Sequence, residues 1–494
     1  HAFCDPPFQS PPRDLPRRPA TMNALYGWFG RHGGAAGDLR TWASWPTDGT
    51  GTPRALRAGD GRWSLAVSAG ASAGVAADAK GRQVAYLGRP AFRSESWQAR
   101  VAEAGLPAAL LAAYDLNGDG LLAQLTGSFA LALIDPRAER VLLAIDRMGV
   151  GQMAYAQVGG GIAFATDLNL LARHPGVDTT ITPQAVYRYA RNYVSPAPET
   201  IYAGVRKLQP AQVLDWRGGR ASIAAYWHAP TPGSVQGRPD ELAEELHRRL
   251  AAGVQNALKP APDRHAGAFL SGGLDSSVVA GLLGRARGAS TPAFTISFDN
   301  PRYDETAYAA IAAEHFGLDH RTYRLTPADA GDLVPTLAAA CDEPFGNSSL
   351  LPAYVCARVA RQAGVELLLA GDGGDELFAG NKRYVEQQIL GLYARVPGLL
   401  RAGLNAALGA LPPRYAVSWL GKAQRYVARA SQPMPGRMMA NEVYGRAGLD
   451  RIFTADALAE IDVDAPEAAW TRHFEEAGTD DLVHAMQRLD WRVT

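Results

Sequence analysis

The chain has 494 residues, 47% of them apolar, with 49 basic and 49 acidic side chains and therefore no net charge. That length exceeds what one core supports, so two domains are expected. The charge balance argues against a nucleic-acid groove or a membrane-surface role, and no apolar run reaches bilayer length. Cys4, Cys341 and Cys356 show no paired or metal-type spacing, which speaks against a disulfide framework or a zinc site and for a reducing, cytoplasmic setting.

The chain opens on a Pro-rich stretch, His1 to Thr21, with scattered charges and no apolar h-region, so it is not a secretory signal. Residues 1–22 read as a disordered tail or a misplaced start, with Met22 as initiator. From 23 to 228 short β-type runs follow one another: Ala24 to Phe29, Trp63 to Ser68, Gln83 to Leu87, Phe129 to Ile134, Val141 to Asp146 and Gly161 to Ala165. Gly, Pro and Asp turns part them. Helical patterns intervene at Glu95 to Ala104, Ala108 to Leu116 and Pro183 to Arg191. The mixture predicts an α+β domain of stacked antiparallel sheets.

Four motifs fall in order here: Leu25-Tyr-Gly-Trp-Phe-Gly30, Leu125-Thr-Gly-Ser-Phe-Ala-Leu131, Ala144-Ile-Asp-Arg-Met-Gly149 and Gly161-Ile-Ala-Phe-Ala-Thr-Asp167. Together they resemble the N-terminal glutaminase domain of asparagine synthetases, a class II glutamine amidotransferase with an N-terminal-nucleophile hydrolase fold. In that family a Cys exposed by Met removal attacks the glutamine amide, its own α-amine acting as base. Tyr26 stands at the Cys position here, and a phenol with a pKa of about 10 is a poor substitute for a thiolate. A start at Met22 would not leave residue 26 at the terminus. The family's Asn-Gly-Glu stands as Leu87-Gly88-Arg89, and the basic residue after Asp-Arg-x-Gly-x is Gly151. The Gly-Asp-x-Glu segment that holds glutamine has no match, and Cys4 lacks the Gly-x-Phe-Gly context. The expectation is a domain that folds without hydrolysing glutamine, since loss of one oxyanion donor alone costs about a hundredfold to a thousandfold.

Ala229-Pro-Thr-Pro-Gly-Ser-Val-Gln-Gly-Arg-Pro239 marks a linker, placing a second domain at 240–494. Asp240 is expected to cap a helix with Leu242, Leu246, Leu250, Val254 and Leu258 on one core-facing stripe. Strand and helix patterns then alternate: a strand at Ala268 to Leu270, a helix from Asp275, and a strand at Pro292 to Phe298. Asp304 to Phe316 reads as helix, His320 to Leu325 as strand, Ser349 to Gly364 as helix and Val365 to Ala370 as strand. Alternation with continuous apolar strands predicts a parallel, doubly wound α/β sheet. Ligands of such sheets sit at carboxyl strand ends near a switch in strand order.

Two loops fall at such ends. In Ser271-Gly-Gly-Leu-Asp-Ser-Ser277, Gly272 and Gly273 permit close backbone approach, bare N–H groups form an anion nest, and Ser271, Ser276 and Ser277 add hydroxyls. There is no Walker-type Lys, and Asp275 would repel a bare phosphate, so a Mg2+-nucleotide is the expected ligand. The second loop is Gly371-Asp-Gly-Gly-Asp-Glu-Leu-Phe-Ala-Gly-Asn-Lys-Arg-Tyr384. Its Asp375 pairs with Asp275 as a candidate Mg2+ site, because Mg2+ takes a few carboxylates plus phosphate oxygens. Asp372 and Glu376 remain as catalytic candidates that orient the acceptor or handle protons.

The first loop resembles the pyrophosphate loop of the ATP pyrophosphatases (PP-loop proteins), which split ATP between the α and β phosphates. The second, together with Cys341-Asp-Glu-Pro-Phe-Gly-Asn-Ser-Ser349, resembles the synthetase domain of asparagine synthetases. That resemblance implies that Leu270 and Ile296 contact adenine and ribose, and that Ala370 and Gly371 present backbone groups to the nucleotide. It gives Asp372 a role in supporting an acyl-adenylate and puts the Cys341 stretch on the acceptor side. It implies an ATP-dependent carbon–nitrogen ligase using ATP and Mg2+: a carboxylate, aspartate in the family, attacks the α-phosphorus, pyrophosphate leaves, and an amine displaces AMP. Partners would be small molecules (ATP, aspartate or another carboxylate, an amine donor), with no nucleic acid and no membrane; a homodimer stays open. Family members continue beyond the helix at Leu482 to Arg492 with a Lys-bearing segment near the phosphates, so a shortened C-terminus is expected. Two other readings stay open. One is an amide-forming cyclase of β-lactam or macrolactam synthetase type, which Tyr26 and Leu87 favour. The other is a non-catalytic nucleotide-binding partner protein.

Overall fold

The computed structural model describes residues 24–30, 54–57, 62–68, 72–230, 233–259, 265–288, 290–410, 419–439, 446–449 and 451–493. The stretch 1–22, with Met22 and Cys4, lies outside the described residues. Strands of the first half are β1 (Leu25–Phe29), β2 (Arg54–Arg57), β3 (Trp63–Val67), β4 (Ala73–Ala77), β5 (Gln83–Gly88), β6 (Ala91–Phe92) and β7 (Leu125–Thr126). They continue with β8 (Phe129–Asp135), β9 (Arg140–Ile145), β10 (Ala154–Val158), β11 (Gly161–Ala165), β12 (Arg206–Lys207), β13 (Gln212–Arg217) and β14 (Arg220–Ala225). Helices α1 (Glu95–Ala104), α2 (Leu106–Asn117), α3 (Leu168–Ala172) and α4 (Pro183–Asn192) interrupt them.

Two six-stranded antiparallel sheets result, β12-β10-β11-β1-β3-β2 and β14-β13-β9-β8-β5-β4. Side chains alternate between strand faces, which dictates the stack. On β1, Leu25 and Phe29 enter the core between the sheets beside Leu65, Ala132, Ile134 and Leu143. Tyr26 and Trp28 point the other way, under Leu170 of α3 and Ala185 of α4. On β8, Phe129, Leu131 and Leu133 leave the inter-sheet core and meet Leu110 and Leu111 of α2. Helix, sheet, sheet and helix form four layers, so the central strands are apolar on both faces. The expectation of stacked antiparallel sheets holds.

The second half contains β15 (Ala266–Phe269), β16 (Pro292–Phe298), β17 (Asp319–Leu325) and β18 (Leu367–Leu369). Its helices are α5 (Pro239–Leu258), α6 (Leu274–Arg287), α7 (Thr306–Phe316), α8 (Pro327–Ala340), α9 (Leu350–Gln362), α10 (Gly374–Phe378) and α11 (Lys382–Leu392). After these come α12 (Gly398–Gly409), α13 (Trp419–Ala430), α14 (Gly436–Met439), α15 (Arg446–Leu449), α16 (Ala455–Ala459), α17 (Ala465–Glu475) and α18 (Leu482–Val493). The sheet runs β17-β16-β15-β18 with every pair parallel. One face is covered by Val254, Leu283 and Ala309 from α5, α6 and α7, the other by Leu333, Val355 and Ala360 from α8 and α9. This is the doubly wound arrangement read from the sequence.

Some expectations shift. Asp240 does not cap α5: Pro239 occupies the first helical position, where its fixed φ and missing N–H cost nothing, and Arg238 is the cap residue. The apolar stripe on that helix is core only at its C-terminal end, because Leu242 and Leu246 are 37% and 40% exposed while Val254 and Leu258 are buried. Strands β4, β10, β13 and β14 were not expected, since small or polar residues such as Gly74, Gln157, Asp215 and Arg220 break their apolar runs.

Candidate active site

Strand order turns back between β15 and β18: β16 and β17 lie on one side of β15, and β18 on the other. Crevices at such a switch point take ligands at the carboxyl strand ends. The loop after β15 is Ser271 to Gly273, and the turn after β18 starts at Gly371. Gly272 has φ +88° and Gly273 caps α6 with no side-chain hydrogen bond. The first N–H groups of a helix have no intrahelical acceptor and point outward along its axis, and α6 starts at this turn.

The serine hydroxyls behave differently from the expectation. Ser276 is buried and its Oγ donates to Gly273 O at 3.1 Å, while Ser277 Oγ donates to the same carbonyl at 2.7 Å. Ser271 Oγ lies 3.0 Å from Ser276 Oγ and accepts from the Gly273 N–H at 3.3 Å. The hydroxyls therefore brace the loop, each meeting a polar atom within reach. Leu270 is fully buried; its N–H donates to Phe294 O at 2.9 Å and its carbonyl accepts from Thr295 Oγ1 at 2.6 Å. Thr295 Oγ1 also lies 2.8 Å from His320 Nε2, whose pKa burial holds below the usual imidazole value. Ile296 is buried on β16, Ala370 is exposed and Gly371 half-buried.

Glycines let the two loops touch. A Cβ on Gly371 would stand 2.6 Å from Ser276 N, and one on Gly374 would stand 2.4 Å from Asp275 Cγ. Only the bare backbone fits against Asp275. Burial, then the charges of Asp375 and Glu376, push the Asp275 carboxyl above the usual range. Asp275 thus packs against the turn that carries Asp375 and Glu376, and Asp372 is exposed on the same turn. Among the described residues no three His, Cys, Asp or Glu side chains form a ready metal cluster. The donors present are carboxylates crowded against like charge, which suits a hard, oxygen-seeking cation completed by other oxygen ligands.

The acidic turn is held from behind. Asp490 of α18, fully buried, accepts from Tyr384 OH and pairs with Arg383 Nη2 at 2.7 Å; Gln487 Nε2 donates to Leu377 O at 2.8 Å. No local signal links residue 490 to residue 384, so the sequence could not single these out. The Cys341 stretch borders a cavity of ≈ 820 Å³ whose walls also include Ile201, Tyr202, Val334 and Leu337. Cys341 is half-buried, and burial pushes the Cys356 thiol up to about 12.

In the first half, Tyr26 is buried within the apolar cluster under α3 and α4, on a strand whose backbone pairs with Ala66 and Ala165. Asp146 accepts from the N–H groups of Phe129, Met148, Val150 and Gly151, at 2.6 to 3.3 Å, and so shapes the turn that follows β9. A Cβ on Gly151 would stand 2.1 Å from Phe129 O. Arg89 Nη1 reaches across to Ala257 O at 3.1 Å, near the C-terminus of α5.

Residues 245–494 match the model of the asparagine synthase family, and residues 106–227 match the glutamine amidotransferase domain. The chain belongs to the asparagine synthase family. A provisionally named glutamine-hydrolyzing asparagine synthetase 2 of Methanocaldococcus jannaschii is 30% identical, over 59% of this chain and 57% of that protein. The glutamine-hydrolyzing asparagine synthetase 1 of Bacillus subtilis is 26% identical, over 61% and 47%. Amidase chyE of Penicillium rubens is 24% identical, over 55% and 42%. The chain spans about half the length of the curated relatives it matches. Among solved structures, glutamine phosphoribosylpyrophosphate amidotransferase from B. subtilis covers 70% of this chain at 9% identity, with a TM-score of 0.29. Among the described residues no helix is long and apolar enough to cross a membrane.

Proposed function

We propose that the chain is an ATP-dependent carbon–nitrogen ligase of asparagine-synthetase type. It transfers AMP to a carboxylate, releases pyrophosphate, and lets an amine displace the AMP. One observation carries this reading: the loops ending β15 and β18 touch at the switch point, with Gly374 packed on Asp275.

A carboxylate resists attack by an amine because oxide would have to leave; adenylation replaces that with AMP. The polyphosphate of ATP needs N–H donors, which Gly272 and the start of α6 supply, with Ser271, Gly273 and Ser276 bracing the turn. Asp275 and Asp375 are the residues to hold Mg2+, and Mg2+ bound there would offset phosphate charge. Ala370 and Gly371 offer strand-end backbone to the nucleotide, and Leu270 and Ile296, both buried, fix the strand ends on which it would rest. Asp372, exposed on the turn, supports the acyl-adenylate, and Glu376 takes the proton of the attacking amine. Aspartate is the acceptor that family membership favours, with the domains divided at 229–239 and the amidotransferase-like half silent toward glutamine. An intramolecular amide-forming cyclase is the second reading. It is favoured by Tyr26, a buried phenol at the nucleophile position, because a cyclase needs no ammonia from glutamine.

The test is pyrophosphate release from Mg2+-ATP in the presence of aspartate and ammonia, other amino acids, or peptides. Asp375→Asn is expected to lower the rate by about a hundredfold or more, as for loss of a charge-stabilising group. Response to aspartate supports the first reading, and response only to a substrate carrying its own amine supports the second. Nucleotide binding with no pyrophosphate from any acid overturns both.

A further inference from the structure

A separate set of contacts joins the two halves at the segment that leads into α9. Glu343 accepts from Lys207 Nζ and from the Ile201 N–H at 2.9 Å. Its neighbour Asp342 accepts from the Leu168 N–H at 3.1 Å, and the Gly346 N–H donates to Tyr193 O at 2.7 Å. Every one of these partners lies in the first half. The ion pair is sheltered, with side chains 19% and 11% exposed for Lys207 and Glu343. Lys207 Nζ also donates to Ser195 O at 3.0 Å, so two acceptors fix its head. Tyr193 sits at φ +59°, the left-handed region that a bulky residue adopts only when its surroundings impose it. A Cβ on Gly346 would stand 2.8 Å from Tyr193 Cβ and would push that ring aside.

Topology says why this segment matters. A helix that connects parallel strands runs back across the sheet, so the N-terminus of α9 lies at the carboxyl edge. That edge carries the loops at Ser271 and Gly371. Residues 345–349 therefore stand at the same sheet edge as the acidic turn, and Phe345, Gly346, Asn347 and Ser348 share the ≈ 820 Å³ cavity with Ile201 and Tyr202.

We propose that Lys207 and Glu343 are positioning residues for the acceptor: the first half clamps residues 342–346 so that Asn347 and Ser348 stand fixed beside the adenylation site. The inference rests on the ligase reading. The amidotransferase-like half then serves the ligase as a wall of its acceptor pocket, whatever the source of nitrogen.

Lys207→Met and Glu343→Gln are compared with Lys207→Arg in the full chain. Pyrophosphate release is followed against Mg2+-ATP and, separately, against whichever acid supports it, aspartate first; amide exchange is read across 342–349. The first two variants are expected to raise acceptor KM about tenfold, with kcat and the KM for ATP within about twofold of wild type. Lys207→Arg keeps the ion pair and most of the acceptor affinity. Exchange at Gly346 should quicken about tenfold in Lys207→Met as its local opening becomes easier. An unchanged acceptor KM in folded variants, or equal rises for both substrates, overturns the clamp. Glu343→Gln preserves volume and serves should Lys207→Met fail to fold. If wild type releases no pyrophosphate with any acid, the ligase reading fails separately. The exchange measurement then decides alone, and unchanged protection across 342–349 overturns the proposal.

Discussion

At Gly272 the backbone and its surroundings impose the same restriction. Its φ of +88° already disfavours any side chain, and a Cβ would meet Ala309 N and Glu305 O at 2.9 Å. Gly364 offers the comparison: its φ is +81°, yet nothing lies within 4 Å of an added Cβ. Gly364→Ala should therefore cost only the backbone strain, about 1–3 kcal/mol, and leave ligand binding alone. Gly272→Ala must also shift the 271–273 loop against α7, so under the proposed function Mg2+-ATP affinity should fall by at least about tenfold, equivalent to 1.4 kcal/mol. Calorimetric titration of both variants separates the two effects. Equal affinity in Gly272→Ala and wild type would remove this turn from the nucleotide site.

Elements decide how firmly the acidic turn is held. Helix α18 braces α10 through Gln487 and α11 through Asp490. Burial pushes the Asp490 carboxyl up to about 6 although the Tyr384 hydroxyl and the Arg383 guanidinium oppose the rise, and Glu376 adds to it. An acid with a folded pKa near 6 and an unfolded value of about 3.9 takes up a proton on folding between those limits. Its contribution to stability therefore falls as pH rises from about 4 to about 6 and is level above. The stability of wild type minus that of Asp490→Asn should decline through this window in urea unfolding, and a difference that stays flat with pH would show Asp490 ionised throughout. The sequence discloses little of this. Strands buried on both faces, such as Phe129 to Ile134 and Pro292 to Phe298, announce themselves as apolar runs, and the glycine turns at 272 and 371 carry their own geometry. Strands β10 and β13 are hidden because pairing with neighbours, not their own composition, makes them strands. Asp490 with Tyr384 and Lys207 with Glu343 join residues more than a hundred positions apart, and nothing local marks either pair.

Across the whole molecule the two halves interlock at several points. Tyr187 is fully buried against Leu449 and Ile461, Arg191 pairs with Glu467 at 3.3 Å, and the Gln184 side-chain amide exchanges two hydrogen bonds with the Asp462 backbone. Arg89 is engaged with Ala257, and Arg488 with the carbonyls of Ala229 and Pro230. Such contacts give the first half a structural use that does not depend on glutamine. Its chemistry points the same way. Tyr26 lies inside β1, where the Ala24 N–H donates to Ser68 Oγ at 2.7 Å and the Leu25 N–H to Thr166 Oγ1 at 3.0 Å. The nitrogen of residue 26 is thus a strand amide, and an amide cannot serve as the base that a terminal amine supplies. Tyr26→Cys would restore a thiol without restoring that base, and Gly151 leaves no room for a side chain over Phe129 O. Purified protein should release no glutamate from glutamine above background, and Tyr26→Cys should release none either, in a glutamate dehydrogenase-coupled assay. Release by wild type that Tyr26→Ala abolishes would make the first half a working glutaminase and return ammonia supply to its role.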